Sequence, residues 1–192
     1  MSSKPCNPPA AACVADISGA HALQAAHRPL DTQALRNALG AFPTGIAIVT
    51  TRNASGRAVG LTINSFASLS LDPPLVLWSL VNRSPSLEAF NESDYFCINV
   101  LASTQTDLAK CFASAAVPDK FQHVQTYDSQ QGMPVIPGCL ASFVCAKDQM
   151  HPGGDHTLYI GRVLHYFIES GEPAVFHRGQ FTTLQALQAC PN

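Results

Sequence analysis

The stretch LTINSFASLSLDPP, residues 61–74, begins as one kind of structure and cannot continue as it. Leu61 and Ile63 alternate with Gly60, Thr62 and Asn64, the period of a half-buried β-strand. The pattern then gives way to the small polar residues Asn64, Ser65, Ser68 and Ser70, and Pro73-Pro74 stops it. A strand that ends in such a cluster presents backbone N–H groups and hydroxyls to something other than protein. Those donors suit a flat heteroaromatic ligand that carries a phosphate tail. A serine-rich strand edge followed by a turn is the competing reading of the same residues.

Composition bounds what can surround this stretch. A chain of 192 residues that is 46% hydrophobic and 12% charged can bury one sizeable core, so one domain is expected. A net charge of −2 with no basic run gives no electrostatic case for nucleic acid or an anionic membrane surface. The low charged fraction points to apolar surface covered by a second subunit. The seven cysteines (Cys6, Cys13, Cys97, Cys111, Cys139, Cys145, Cys190) form no C-x-x-C pair, which removes zinc-ribbon spacing. Cys97 and Cys145 lie among apolar residues of expected strands, as reduced cysteines do, and a soluble cytoplasmic protein fits best. The N-terminus lacks the pattern of a signal peptide, and no apolar run reaches the length of a membrane span.

Residues 1–28, rich in Ala, Pro and Ser, read as a flexible extension ahead of a domain over 29–192. Asp31-Thr32 offers an N-cap for a helix carrying Leu35, Ala38 and Leu39 and ending near Gly40. Residues 42–45 read as a turn, 46–51 as a strand, 53–56 as a hairpin turn and 58–63 as the returning strand. The nearly continuous apolar run 75–81 predicts a strand buried on both faces. Ser84 before Pro85 predicts a cap for a short helix through Leu87 and Phe90. Residues 95–101 read as a strand, and Ser103 as the cap of a helix carrying Leu108, Ala109 and Phe112. A mostly looped stretch covers 113–137, and strands follow over 139–150, 157–168 and 174–176. Many antiparallel-type strands with few short helices predict a mainly β fold, a barrel with peripheral helices.

Three further segments bear on chemistry. Asn82-Arg83-Ser84-Pro85-Ser86 follows a strand and opens a helix, so free N–H groups, a fixed charge and hydroxyls could cradle a phosphate; a simple cap with a solvated arginine is the alternative. His151-Pro-Gly-Gly-Asp-His156 has metal-like residues but no further ligand cluster, so a metal is not expected. A glycine-bent loop that lifts Asp155 and His156 to the barrel mouth, with the carboxylate orienting the imidazole, is the better reading. An ordinary hairpin turn remains open beside it. Asp119-Lys120-Phe121 could close over an anionic ligand or simply anchor its loop. No nucleophile elbow, paired catalytic carboxylates or P-loop is found, which leaves chemistry performed by a bound cofactor.

Taken in order, these residues resemble the short-chain flavin reductase family, the reductase components of two-component flavin-dependent monooxygenases. The resemblance rests on Phe42-Pro43-Thr44-Gly45 with the strand to Thr51, on residues 61–74, on Gly154-Asp155-His156 and on Phe176-His-Arg178-Gly179-Gln-Phe181. It covers roughly residues 30 to 184. It implies an FMN-binding split β-barrel, a homodimer, that reduces FMN or FAD with NADH or NADPH and releases reduced flavin to a separate oxygenase. Carried over, Thr44, Thr62, Asn64, Ser65 and Phe66 would approach the flavin, and Ser68, Ser70 and Leu71 would follow its ring and ribityl chain. Asn82, Arg83, Ser84 and Lys120 would hold the phosphate with Phe121 packed nearby. Asp155 and His156 would meet the nicotinamide nucleotide, with His156 the residue closest to the chemistry. The segment 177–181 departs from the family pattern, where many relatives carry a second basic residue and a tyrosine.

Two other readings stand beside this one. A flavin-binding electron carrier would retain FMN and shuttle electrons between proteins. An oxidase related to the pyridoxamine-phosphate oxidases would need more basic residues for its substrate phosphate than Arg83, Lys120 and Arg178 supply.

Overall fold

The structure is a computed structural model and describes residues 30–122 and 124–184. The expected extension over 1–28, with Cys6 and Cys13, lies outside the described residues, as does Cys190. The chain divides into two units, residues up to Ala38 and residues from Leu39 onward. The first holds nearly all of α1 (Thr32–Leu39). The Asp31 carboxylate accepts from the N–H groups of Gln33 at 2.8 Å and Ala34 at 3.3 Å, which is the expected cap.

The second unit is mainly β. Its elements are β1 (Thr44–Gly45), β2 (Ala47–Arg52), β3 (Ala58–Ile63), β4 (Ala67–Leu71), β5 (Pro74–Val81), α2 (Leu87–Glu92), β6 (Tyr95–Val100), α3 (Thr106–Ala113), β7 (Tyr127–Asp128), β8 (Pro134–Val135), β9 (Ala141–Gly153), β10 (His156–Ile168), β11 (Val175–His177) and β12 (Gln180–Thr182). Seven strands form one antiparallel sheet in the order β3-β2-β6-β9-β10-β5-β4. Small sheets β1-β11-β12 and β7-β8 flank it.

The position of β3 and β4 fixes the shape of the sheet. They are its two edges, yet only Asn64, Ser65 and Phe66 separate them in sequence. Six inter-strand gaps of about 4.8 Å would hold the edges of a flat sheet about 29 Å apart. The four steps from Ile63 to Ala67 reach at most about 14 Å. The sheet therefore rolls until its edges approach, without the two pairing with each other, which is a split barrel. Ser65 pins the seam: its hydroxyl accepts from the Ser79 N–H at 3.0 Å and donates to the Ser79 carbonyl at 3.2 Å. It thereby continues along β5 the ladder that β4 begins at Ala67↔Leu77.

Two larger cores pack on the rolled sheet, beside a small cluster of Cys97, Met133, Val135 and Val144. Trp78 of β5 stacks on Tyr159 of β10 at 4.6 Å, with Phe90 of α2 and Phe96 of β6 against them edge-on. Outside the sheet, Ile46, Ile48 and Leu101 meet Ala109 and Phe112 of α3. A further buried set is polar. Asn99 donates to the Ile48 carbonyl at 3.1 Å and accepts from the Ile136 N–H at 3.0 Å and the Ser142 hydroxyl at 3.1 Å. All its partners lie in the protein, so the amide is satisfied in the interior.

Several sequence expectations are corrected. The strands buried on both faces are β2, whose outer side meets α3, and β6; β5 alternates, with Val76, Trp78 and Leu80 buried and Leu75, Leu77 and Val81 only half-buried. The serine-rich segment is itself an edge strand, β4, and Pro74 opens β5 rather than ending a strand. Thr44 and Gly45 leave the expected turn to pair with Phe176 and Val175. Ser84 does not cap α2; its hydroxyl accepts the Ser86 N–H at 3.2 Å in a turn before the helix. Ser103 lies in a short 3-10 turn ahead of α3. Strand β9 begins at Ala141 and runs on to Gly153, so only Gly154-Asp155 remains as the turn of the expected glycine-bent loop. Among the described residues no helix is long and apolar enough to cross a membrane.

Gly161 marks how tightly the inner core closes. A methyl group there would overlap the Phe96 ring and lie 3.0 Å from Cys145 Cβ. Gly161→Ala is expected to cost about 2 kcal/mol in denaturant unfolding. Gly45→Ala, with nothing within 4 Å of its added methyl, is expected to cost far less. Equal stability of the two variants would contradict the packing described.

Candidate functional site

The register of β5 and β10 brings two of the sequence-predicted segments together. His156 lies opposite Val81, so the turn at residues 82–86 and the tip of the β9–β10 hairpin share one end of the sheet. The Asn82 N–H donates to the Asp155 carbonyl at 2.8 Å, and the Thr157 hydroxyl donates to the Asn82 side-chain oxygen at 2.8 Å. On the tip, His156 Nδ1 lies 2.7 Å from the exposed Asp155 carboxylate. With the proton on Nδ1 the ring donates to this carboxylate, and its Nε2 has no partner among the described residues. The hydrogen bond and charge of His156 hold the Asp155 carboxyl below its ordinary value, with a smaller contribution from Arg83. The second turn thus places Arg83 within electrostatic reach of the first segment's carboxylate.

Internal bonds occupy most of the donors at 82–87. The N–H groups of Ser84, Ser86 and Leu87 are bonded within the turn, to the Val81 carbonyl, the Ser84 hydroxyl and the Ser84 carbonyl. The Arg83 guanidinium has no hydrogen bond or ion pair among the described residues and is exposed, and the Ser84 and Ser86 hydroxyls donate to nothing among the described residues, so these groups are the donors this turn has free.

Lys120 and Phe121 sit on the other side of β3. The Lys120 amine donates to the Phe112 carbonyl at 2.7 Å, closing the last turn of α3. Burial pushes its pKa down. Phe121 packs edge-on against Phe112 at 5.0 Å, and both rings fill the space left by Gly60, where a methyl would lie 2.9 Å from Phe112. These two residues, with Arg57, Pro85 and Ser86, line a cleft of about 430 Å³. The cleft links Lys120 to Pro85 and Ser86 at the end of the Arg83 turn.

Thr62 and Asn64 meet a third set. With Ile46, Lys110, Phe176 and Phe181 they line a mainly apolar cleft of about 250 Å³. Thr62 is anchored there by its bond to the Ala109 carbonyl at 2.6 Å, while Asn64 is exposed. The Phe176 and Phe181 rings stand 5.5 Å apart and nearly perpendicular, and the Lys110 amine lies 5.9 Å over Phe181. Thr44, paired with Phe176, carries a buried hydroxyl with no partner among the described residues. That orphan donor beside an apolar cleft fits a polar-edged ring.

The remaining sequence-predicted residues occupy the seam and edge. Ser65 is fully engaged with Ser79, and Phe66 packs against Phe143 at 5.6 Å. Ser68, Ser70 and Leu71 lie on β4, Leu71 being 93% exposed. Sequence reasoning missed Lys110, Thr157 and the hairpin that makes Phe176 and Phe181 neighbours. The signal for that hairpin was present: Arg178-Gly179 is a two-residue loop, with φ of 49° and 81°. Among the described residues no three His, Cys, Asp or Glu side chains converge on a metal position. Burial pushes the Cys139 and Cys145 thiols up to about 12, which leaves them unreactive.

Comparison with known proteins covers nearly all of the second unit. Residues 39–185 match the family described as Flavin reductase like domain. The chain is 42% identical over 151 residues to FMN reductase (NADH) SmoA of Agrobacterium fabrum, covering 79% of this chain and 85% of that one. It is 37% identical over 179 residues to the flavin-dependent monooxygenase reductase subunit HsaB of Rhodococcus jostii, covering 93% and 90%. The NADH:FAD oxidoreductase SgcE6 of Streptomyces globisporus, solved with NAD and FAD fragments, superposes with a TM-score of 0.77 at 31% identity, covering 84% and 99%.

The Asp155–His156 pair has a signed pH consequence. Because the folded carboxyl titrates below its ordinary value, about 3.9, its contribution is present above that value and is lost as pH falls through the folded midpoint. In an NMR titration, His156→Ala is expected to raise the Asp155 midpoint back toward the ordinary value. An unchanged midpoint would show that the pair does not form.

Proposed function

Because this chain belongs to the flavin reductase-like domain family, we propose that it is an NAD(P)H:flavin oxidoreductase that reduces FMN or FAD. The reduced flavin then passes to a separate oxygenase component, as the reductase-subunit name of its relative suggests. The observation that carries this reading is the junction of the Arg83 turn with the Asp155–His156 tip at the end of β5 and β10. An anion-binding group and an oriented imidazole are held side by side there, as a phosphate-bearing ring and a nicotinamide nucleotide require.

Arg83 and the Ser84 and Ser86 hydroxyls hold the flavin phosphate, with Lys120 and Phe121 closing the adjoining cleft. The orphan hydroxyl of Thr44, with Thr62 and Asn64, meets the polar edge of the ring. Ser65 and Phe66 fix the seam beside it, and Ser68, Ser70 and Leu71 border it along β4. His156 binds the nicotinamide nucleotide through Nε2, and Asp155 orients the imidazole. Bound flavin would supply the redox chemistry, as the acceptor of a hydride from NAD(P)H and a proton from solvent, with NAD(P)⁺ and reduced flavin as products. No side chain is required as a nucleophile, and the protein contributes by bringing the two rings together.

The working unit is a homodimer. The outer face of β5 and β10 is apolar yet half-buried at Leu75, Leu77, Leu158 and Ile160, and β10 continues into exposed Tyr166, Phe167 and Ile168. A second copy would cover such a face. The domain extends over residues 29–192 behind an N-terminal extension, and its free thiols suit the reducing cytoplasm. In sedimentation the protein is expected to run as a dimer, and Tyr166→Glu with Ile168→Glu as a monomer; a monomeric wild type would contradict this.

The reaction is tested by NADH and NADPH oxidation at 340 nm with FMN, FAD or riboflavin. The rate is expected to rise with free flavin and to saturate. His156→Ala is expected to raise the KM for the nucleotide roughly tenfold while changing the flavin KM little. Stoichiometric flavin retention with no oxidation by any pair would instead mark an electron carrier.

A further inference from the structure

The tip of the hairpin that carries His156 is held from one side only. Strand β9 pairs with β6 as far toward the tip as Ala146↔Tyr95, and one further backbone bond, from the Lys147 N–H to the Asp94 carbonyl, is the last on that side. Beyond that point its residues 149–153 are exposed, and within the sheet the tip has only β5 beside it, through β10. Strand β5 itself ends at Val81, opposite His156. The last attachments of the tip are therefore those made by the residue after β5, Asn82. Its N–H donates to the Asp155 carbonyl, and its side-chain oxygen accepts from Thr157. These two bonds bracket His156, one on the residue before it and one on the residue after.

We infer that Asn82 and Thr157 are positioning residues for nicotinamide binding. Their side-chain bond locks the Arg83 turn to the His156 tip and sets the spacing between the flavin-phosphate and nicotinamide sides of the site. Asn82 thereby acts through His156 instead of as a direct flavin ligand. This rests on the reading of His156 given above. The bond is exposed, so its loss leaves the core intact and moves the tip alone.

The test uses steady-state kinetics of the full-length protein with NADH and FMN, together with thermal melts, on Thr157→Val, Thr157→Ser, Asn82→Ala, the double variant Asn82→Ala/Thr157→Val, and His156→Ala. Loss of one hydrogen bond is expected to raise the NADH KM roughly three- to tenfold in Thr157→Val and in Asn82→Ala. The FMN KM and the melting temperature should stay near wild type. Thr157→Ser, which keeps the hydroxyl, should restore the wild-type NADH KM, and the double variant should be no worse than the weaker single one. If His156→Ala raises the NADH KM but Thr157→Val and Asn82→Ala do not, the positioning role is overturned and the reading of His156 stands. If Asn82→Ala raises the FMN KM alone, Asn82 is a flavin ligand and the inference fails. If His156→Ala leaves the NADH KM unchanged, the reading of His156 fails and takes the inference with it.

Discussion

Three residues, Asn64, Ser65 and Phe66, must join the two opposite edges of a seven-stranded sheet, and the rest of the structure follows from that constraint. The sheet has to roll, and the roll turns one face of β2, β5, β6 and β10 inward around the Trp78–Tyr159 stack. The seam is closed by one hydroxyl. Ser65 both donates to and accepts from Ser79, so the chain crosses the gap without leaving that stretch of β5 unpaired. The link also ends β3 at Asn64, beside α3 and the β11–β12 hairpin. The sequence feature that breaks a strand is therefore the feature that closes the barrel and delivers part of the site.

The same geometry explains why the site has two ends. The β5–β10 ladder carries large aromatic rings inward at Trp78 and Tyr159 and finishes at Val81 and His156. A stiff ladder delivers the Arg83 turn and the His156 tip to one place, while the tip projects past the neighbouring strand. The other end is built by α3. Lys120 ties a loop to the Phe112 carbonyl, and Gly60 leaves room for Phe112 and Phe121 to pack against the sheet. The cleft between these groups runs to Pro85 and Ser86, so the loop and the phosphate turn face the same space.

Much of this was legible in the sequence where the signal is local. The Asp31 cap, the β2–β3 hairpin with its Asn53–Gly56 turn, and the Asp155–His156 pairing are decided by residues within a few positions of one another. Burial was less legible. Leu75 to Val81 is an apolar run, yet β2 with its two threonines and β6 with Asn99 are the strands covered on both faces, because α3 packs on β2 and Thr50, Thr51 and Asn99 satisfy their polar groups inside. Long-range contacts left no trace. Nothing in the spacing of Asn82 and Thr157, 75 positions apart, announces their bond, and Ser65 reads as a ligand donor until Ser79 is seen beside it. Ser84 has the composition of a helix cap but forms the preceding turn, since the helix begins only at Leu87.

The central claim is that the Arg83 turn and the His156 tip form one site for flavin and nicotinamide nucleotide. A crystal structure of the protein with FMN and NAD⁺ bound tests it most directly. The expected result places the flavin phosphate at Arg83 and the nicotinamide nucleotide in contact with His156. A flavin phosphate bound away from the 82–86 turn, with His156 touching neither molecule, would contradict it.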